Sequence, residues 1–187
     1  MPTVLAILPD DFEEIEAITP IDVLRRAGAE VTVASLGPTV RVKGRNGIMI
    51  QADATLDTVQ SRKFDCLLLP GGPGVRHLRS DPRVPALVRS QAAAGRWLAA
   101  ICAAPTVLND AGLLAERRYT AHFSVAAELP HILSDERVVA DGRIVTSRGA
   151  GTALDFGLLL VERLFSAEKS AEIARSIGAY PARVLHP

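Results

Sequence analysis

An α/β fold, a largely parallel sheet with helices on both faces, is predicted by three observations. Short β-prone runs alternate with helical stretches along the chain. The runs Thr3–Leu8, Phe64–Leu69 and Trp97–Ile101 are almost continuously apolar, as in strands buried on two faces. They end in Pro9-Asp10, Gly71-Gly72 and Cys102, which would share one crevice beyond the carboxyl ends of a parallel sheet, where such sheets bind ligands.

Taken in order, Thr3–Leu8 is the first strand, broken by Pro9-Asp10-Asp11. Asp11 is the expected N-cap of a helix from Phe12 to Ala27, closed by Gly28, and Pro20 should kink or divide it. Phe12, Ile15, Ile18, Ile21, Val23 and Leu24 surround much of this helix, so covers on two sides are expected: the sheet and, on the other side, a second subunit. Glu30–Leu36 is the second strand. Asn46-Gly47 marks a two-residue turn in a hairpin over Arg41–Ile50.

A short helix near Leu56–Gln60 precedes the Phe64–Leu69 strand and the loop Pro70-Gly71-Gly72-Pro73-Gly74, whose composition lets backbone N–H groups approach a ligand. Pro82–Ala94 is helical. Trp97–Ile101 is a strand, and Pro105 suits the first turn of a helix ending near Asp110, with Gly112 beyond. Tyr119–His122 reads as a short strand, and Glu136–Ala140 and Arg143–Ser147 as a hairpin turning at Asp141-Gly142. Thr152–Phe165 is an apolar helix assigned to the core, Ala167–Ile177 is amphipathic, and Tyr180–Pro187 is irregular.

The chain has 187 residues and no repeat or linker, so one domain over 1–187 is the reading. Lys+Arg and Asp+Glu are both 21, which offers no electrostatic case for nucleic acid or an anionic membrane. No apolar stretch is long enough to span a bilayer, and Met1-Pro2 runs into a strand without a signal peptide. Cys66 and Cys102 make no disulfide framework, and no Cys/His spacing suits a metal. A cytoplasmic protein with reduced thiols is expected.

Cys102 sits where a strand turns sharply into a helix, a nucleophile elbow among the small residues Ala100, Ala103 and Ala104. The helix dipole at that position favours a thiolate. Such a nucleophile needs a group controlling its proton and donors for an oxyanion, the latter available from Gly71-Gly72 and the Ala103 N–H. Glu13, Glu14 and Glu16 are carboxylates in the first helix, where such residues are usually solvated. His77, His122, His131 and His186 are the histidines. Cys66, mid-strand, reads as structural.

The chain resembles the ThiJ/PfpI superfamily, in the branch of the parkinsonism-associated protein deglycase (DJ-one). The resemblance rests on Glu13-Glu14-Ile15-Glu16 leading into Pro20–Gly28, on Leu69-Pro70-Gly71-Gly72, and on Ala100-Ile101-Cys102-Ala103-Ala104-Pro105-Thr106. Thr120-Ala121-His122 and Thr146-Ser147-Arg148-Gly149-Ala150-Gly151-Thr152 complete it. It implies a flavodoxin-like three-layer sandwich and a homodimer.

By the resemblance, Cys102 is the nucleophile, Glu16 the carboxylic acid bonded to the thiol, and His122 the nearby histidine. Gly71, Gly72 and Ala103 line the anion pocket. Arg148, read from the residues alone, is a candidate either for binding a carboxylate or phosphate of the substrate near the crevice or for pairing with an acidic residue across the dimer. The chain departs from the family at Ala104, at Ala150, and at Phe123-Ser124 after His122. The implied activity is cofactor-free and metal-free conversion of methylglyoxal or glyoxal to lactate or glycolate, with release of glycation adducts from side chains. The alternative is a non-enzymatic oxidative-stress sensor or chaperone, acting through oxidation of Cys102. A protease of the superfamily would place His where Ala103 stands, and a glutamine amidotransferase would need a His-x-Glu that is absent from the sequence.

Overall fold

The computed structural model describes residues 1–179; the expected irregular tail, with His186, lies outside the described residues. Its elements are β1 (Thr3–Leu8), α1 (Glu14–Arg26), β2 (Glu30–Ser35), β3 (Arg41–Lys43), β4 (Met49–Gln51), β5 (Ala54–Thr55), α2 (Leu56–Val59), β6 (Cys66–Leu69) and α3 (Val75–Ser80). There follow α4 (Arg83–Ala93), β7 (Trp97–Ile101), α5 (Pro105–Asp110), β8 (Val138–Asp141), β9 (Ile144–Ser147), α6 (Ala153–Leu164) and α7 (Ala167–Ser176). The main sheet has seven strands in the order β5-β2-β1-β6-β7-β9-β8, all parallel except the edge strand β8. The fold is α/β and flavodoxin-like.

Period-two alternation divides the core between the two faces of this sheet. Val4, Ala6, Leu8, Cys66, Leu68, Ala99 and Ile101 pack under α1 and α6 with Phe12, Leu24, Phe156 and Leu160. Leu5, Ile7, Leu67, Leu69, Leu98 and Ala100 pack on the other side under α2 to α5, against Leu56, Leu78, Val84, Val88 and Val107. Burial on both sides is why these strands read as apolar runs. The strand order reverses at β1 and β6, so the crevice lies above their carboxyl ends and that of β7.

Five local expectations are corrected. Asp11 does not cap α1: it adopts φ 62°, and its N–H donates to Lys43 O at 2.8 Å. Glu13 is the N-cap, its carboxylate accepting from the Glu16 N–H at 2.8 Å, an arrangement worth about 1 kcal/mol. Pro20 does not divide α1, because its missing N–H costs one bond while the turn stays packed. Gly157 of α6 lies close against it; a Cβ there would stand 3.1 Å from Pro20 Cα.

The predicted hairpin forms, but Lys43 pairs with Met49, leaving a five-residue loop rather than a two-residue Asn46-Gly47 turn. The Glu14 carboxylate holds that loop, accepting from Asn46 N at 2.8 Å and Asn46 Nδ2 at 2.9 Å. Tyr119–His122 is extended but not a strand. β9 is already paired on both edges, and the segment is tied by Thr120 N to Thr146 Oγ1 at 2.9 Å and His122 N to Cys102 O at 2.9 Å. The second hairpin forms one residue later than expected, with Asp141 opposite Ile144 around Gly142-Arg143. Helix α3 was not signalled by the sequence, because six residues after a Gly-Pro-Gly loop show no clear period.

Candidate active site

Strand β7 ends at Ile101, and Cys102 turns the chain with φ 67°, a left-handed conformation uncommon for a residue with a side chain. Its N–H donates to Ser147 O at 2.8 Å and its O accepts from His122 N at 2.9 Å, which holds the turn on both sides. The elbow read from Ile101-Cys102-Ala103-Ala104-Pro105 is therefore present, with Pro105 opening α5.

Glu16 reaches this turn from the first turn of α1. It is only 2% exposed, and its Oε2 accepts from Gly71 N at 3.0 Å. Its carboxyl also faces the Cys102 thiol as a hydrogen-bond partner. Gly71 leaves no room for a side chain: a Cβ would overlap Glu16 Oε2 and stand 2.5 Å from Cys102 Cβ. Close approach of three chain segments, rather than backbone dihedrals, explains this glycine. Gly72 does adopt φ 95°. The N–H groups of Gly72 and Ala103 point at the sulfur and favour its ionised form.

Burial pushes the Glu16 carboxyl up to about 7, against hydrogen bonds from Cys102, Gly71 and Ala150 that favour ionisation; the Glu13 charge adds to the rise. Burial and the Glu16 carboxylate act against the expected thiolate. Burial, then the charge and hydrogen bond of Glu16, push the Cys102 thiol up to about 12. Helix α5 is six residues long and begins three residues after the cysteine, so its dipole does not outweigh enclosure. The repulsion from Glu16 disappears when that carboxyl holds a proton, and the same carboxylic acid can then donate to sulfur. Cys66, fully buried as the first residue of β6, is likewise pushed up to about 12 by burial and Asp65, and it faces the core.

A cavity of about 550 Å³ opens above Cys102. Glu16, His122, Gly72 and Ala103 line it with Cys102, so five of the residues singled out in the sequence meet there. Two do not serve as expected. The Gly71 N–H is occupied by Glu16 and its carbonyl by Glu13 N at 3.0 Å, so Gly71 positions Glu16 instead of binding an anion. Arg148 does not line the cavity; its guanidinium donates to Ser134 O at 3.0 Å.

Other lining residues escaped sequence reasoning, among them Arg45, Arg76, Arg79, Thr106 and Ser124. Arg76 and Arg79 are paired, with Asp11 at 2.8 Å and with Asp110 at 2.7 Å. Nothing in the sequence separates these from ordinary surface polar residues. The acidic cluster also departs from expectation: Glu13, Glu14 and Glu16 are all buried, each with a separate backbone partner. Among the described residues no group of three or more His, Cys, Asp or Glu is placed to hold a metal ion. No helix among them is long and apolar enough to cross a membrane.

Residues 2–163 match the DJ-1/PfpI family. Protein dj-1beta of Drosophila melanogaster is 42% identical over 177 residues, covering 92% of this chain and 95% of that protein. A Caenorhabditis elegans relative named glutathione-independent glyoxalase DJR-1.2 is 38% identical over 172 residues, covering 90% of this chain and 91% of its own. Among solved structures, Drosophila melanogaster DJ-1beta superimposes with a TM-score of 0.93 at 40% identity, covering 96% of this chain and 99% of that one. Oxidized Toxoplasma gondii DJ-1 does so with a TM-score of 0.91 at 37% identity, covering 96% and 100%.

Proposed function

The chain belongs to the DJ-1/PfpI family, and from that premise we propose that it is a cofactor-independent glyoxalase of methylglyoxal and glyoxal with Cys102 as nucleophile. The observation that carries this reading is the Glu16 carboxyl, buried against the thiol and poised at about 7 beside a cavity lined by Gly72 and Ala103, whose N–H groups face the sulfur. A relative that bears the name glutathione-independent glyoxalase supports the class of activity.

The chemistry follows from the two titrating groups. An ionised Glu16 takes the thiol proton as Cys102 Sγ bonds to the aldehyde carbon, so no resting thiolate is required. The carbonyl electrons move to oxygen, where the Gly72 and Ala103 N–H groups receive the charge. Glu16 returns the proton, giving a neutral hemithioacetal and a carboxylate again. That carboxylate removes the hydrogen on the same carbon as a proton and delivers it to the adjacent carbon, with His122 assisting. A hydroxyacyl thioester results, and water cleaves it to lactate from methylglyoxal or glycolate from glyoxal. The sum is dicarbonyl plus water to hydroxy acid, an internal redox rearrangement that consumes no outside oxidant.

Early glycation adducts on Cys, Lys and Arg side chains expose the same carbon, so their release forms part of the proposal, with protection against carbonyl stress in the cytoplasm as its role. The protein is proposed to act as a homodimer. Ile15 and Ile18 of α1 are 52% and 38% exposed, and Ile48 and Met49, on the hairpin that Glu14 ties to α1, are 54% and 57% exposed. Apolar side chains gathered in this way favour a covered face.

The test is lactate formation from methylglyoxal by wild type, Cys102→Ser, Glu16→Gln and Cys66→Ser. Lactate from wild type and the Cys66 variant, with a loss of at least about 100-fold in the other two, is expected. Absence of lactate from the fully reduced wild type would sink the enzymatic reading, and conversion of Cys102 to a sulfinate by peroxide would then favour redox sensing.

A further inference from the structure

His122 is followed by Phe123-Ser124, and that pair gives its ring an environment that neither the elbow nor Glu16 accounts for. The residue N-caps a short 3₁₀ turn over Phe123–Val125. Ser124 N–H donates to His122 Nδ1 at 3.3 Å, and Ser124 Oγ lies 2.8 Å from the same nitrogen. A backbone N–H can only donate, so Nδ1 carries a lone pair, and the hydroxyl hydrogen then points to it as well. A neutral imidazole with an unprotonated Nδ1 holds its proton on Nε2.

The opposite ring edge lies beside Gly149, and His122 lines the cavity together with Glu16 and Cys102. A Cβ on Gly149 would stand 3.4 Å from His122 Cδ2, the atom bonded to Nε2, and 3.7 Å from Glu16 Oε1. The Phe123 ring packs on the imidazole at a tilt of 36° with centroids 4.1 Å apart, and is itself 80% exposed.

We propose that Ser124 is a positioning residue that locks His122 as its Nε2–H tautomer, so that His122 meets the substrate as a hydrogen-bond donor and not as a base. The donor role rests on the glyoxalase reading above. When Glu16 removes the proton from the hemithioacetal carbon, the C–H electron pair forms the carbon–carbon double bond of an enediolate. The π pair of the neighbouring carbonyl moves onto its oxygen, out of reach of the donors that hold the first oxygen. Nε2–H donates to this second oxygen and keeps its own proton throughout. Glu16 then protonates the second carbon, the hydroxyl proton of the first oxygen passes to the second oxygen, and the first carbon regains its carbonyl bond as the hydroxyacyl thioester. A histidine presenting a bare Nε2 would repel that oxygen instead.

The experiment uses ¹⁵N-labelled full-length protein and long-range ¹H–¹⁵N correlation of the histidine side chains, with His122 assigned by its loss in His122→Gln. Wild type is expected to show Nδ1 unprotonated and Nε2 protonated. Ser124→Ala, which keeps the backbone N–H and loses the hydroxyl, is expected to admit the second tautomer and lower kcat for methylglyoxal by roughly three- to tenfold with KM little changed, the effect of one lost hydrogen bond. Ser124→Thr should restore both readouts, which a merely structural role for the serine would not predict. A proton on Nδ1 in wild type overturns the proposal, and so does a Ser124→Ala variant with unchanged tautomer and kcat. A wild type that holds the Nε2–H tautomer yet makes no lactate overturns the reaction proposed above while supporting the lock.

Discussion

Replacing Glu16 by Gln should remove a pH dependence of stability that the wild type carries. Burial raises the Glu16 pKa from its ordinary 4.5 to about 7 in the folded chain. Between those values the native state holds a proton that the unfolded chain has lost, so stability is full below about 4.5 and falls as pH rises toward 7 and beyond. The carboxyl is 2% exposed, so solvent screening discounts this little. The shift corresponds to about 3 kcal/mol, or about 6 to 12 °C in Tm for a chain of this size. Gln keeps an oxygen for the Gly71 N–H and cannot ionise. Urea unfolding at pH 4.5 and pH 8 on both proteins isolates the effect, because titrating groups away from Glu16, Glu13 and Cys102 contribute equally to both. The wild type should lose about 3 kcal/mol more than Glu16→Gln across that interval. Parallel losses, equal to within about 0.5 kcal/mol, would refute the claim that enclosure holds this proton.

Two further outcomes are expected. Gly71→Ala would drive a methyl group into Glu16 Oε2 and against Cys102 Cβ, costing about 1 to 3 kcal/mol in overpacking and displacing the carboxyl from the thiol; thermal unfolding and lactate assays should fall together. Ile18→Asp places a charge on the apolar face of α1 while leaving the core untouched, and light scattering should register a monomer where the proposed wild-type assembly is a dimer. A wild type that is already monomeric would remove the basis for that prediction.

The strands and their order of burial were legible because a parallel sheet covered on both faces requires continuous apolar runs, as in Leu67-Leu68-Leu69 and Leu98-Ala99-Ala100-Ile101. The elbow was legible for the same local reason: a strand ending at Cys102 with Pro105 opening the next helix leaves few ways to turn. Asp11 and Glu13 show where such reasoning stops. Both are acceptable caps, and the choice fell to Glu13 because Asp11 is drawn into contacts with the hairpin and with Arg76. Likewise Tyr119–His122 has strand composition, but strand pairing needs a free edge and β9 had none.

By itself, then, the sequence determined the layered architecture and the position of the thiol, both consequences of periodicity and of turn chemistry within a few residues. Tertiary structure alone decided the protonation of the site. Glu16, Gly71 and Cys102 lie 55 and 31 positions apart in turn along the chain, and only their meeting at the buried floor of the cavity lifts the carboxyl to about 7 and raises the thiol. Burial depends on what the rest of the fold places around a group, and the residues next to it in sequence do not carry that information.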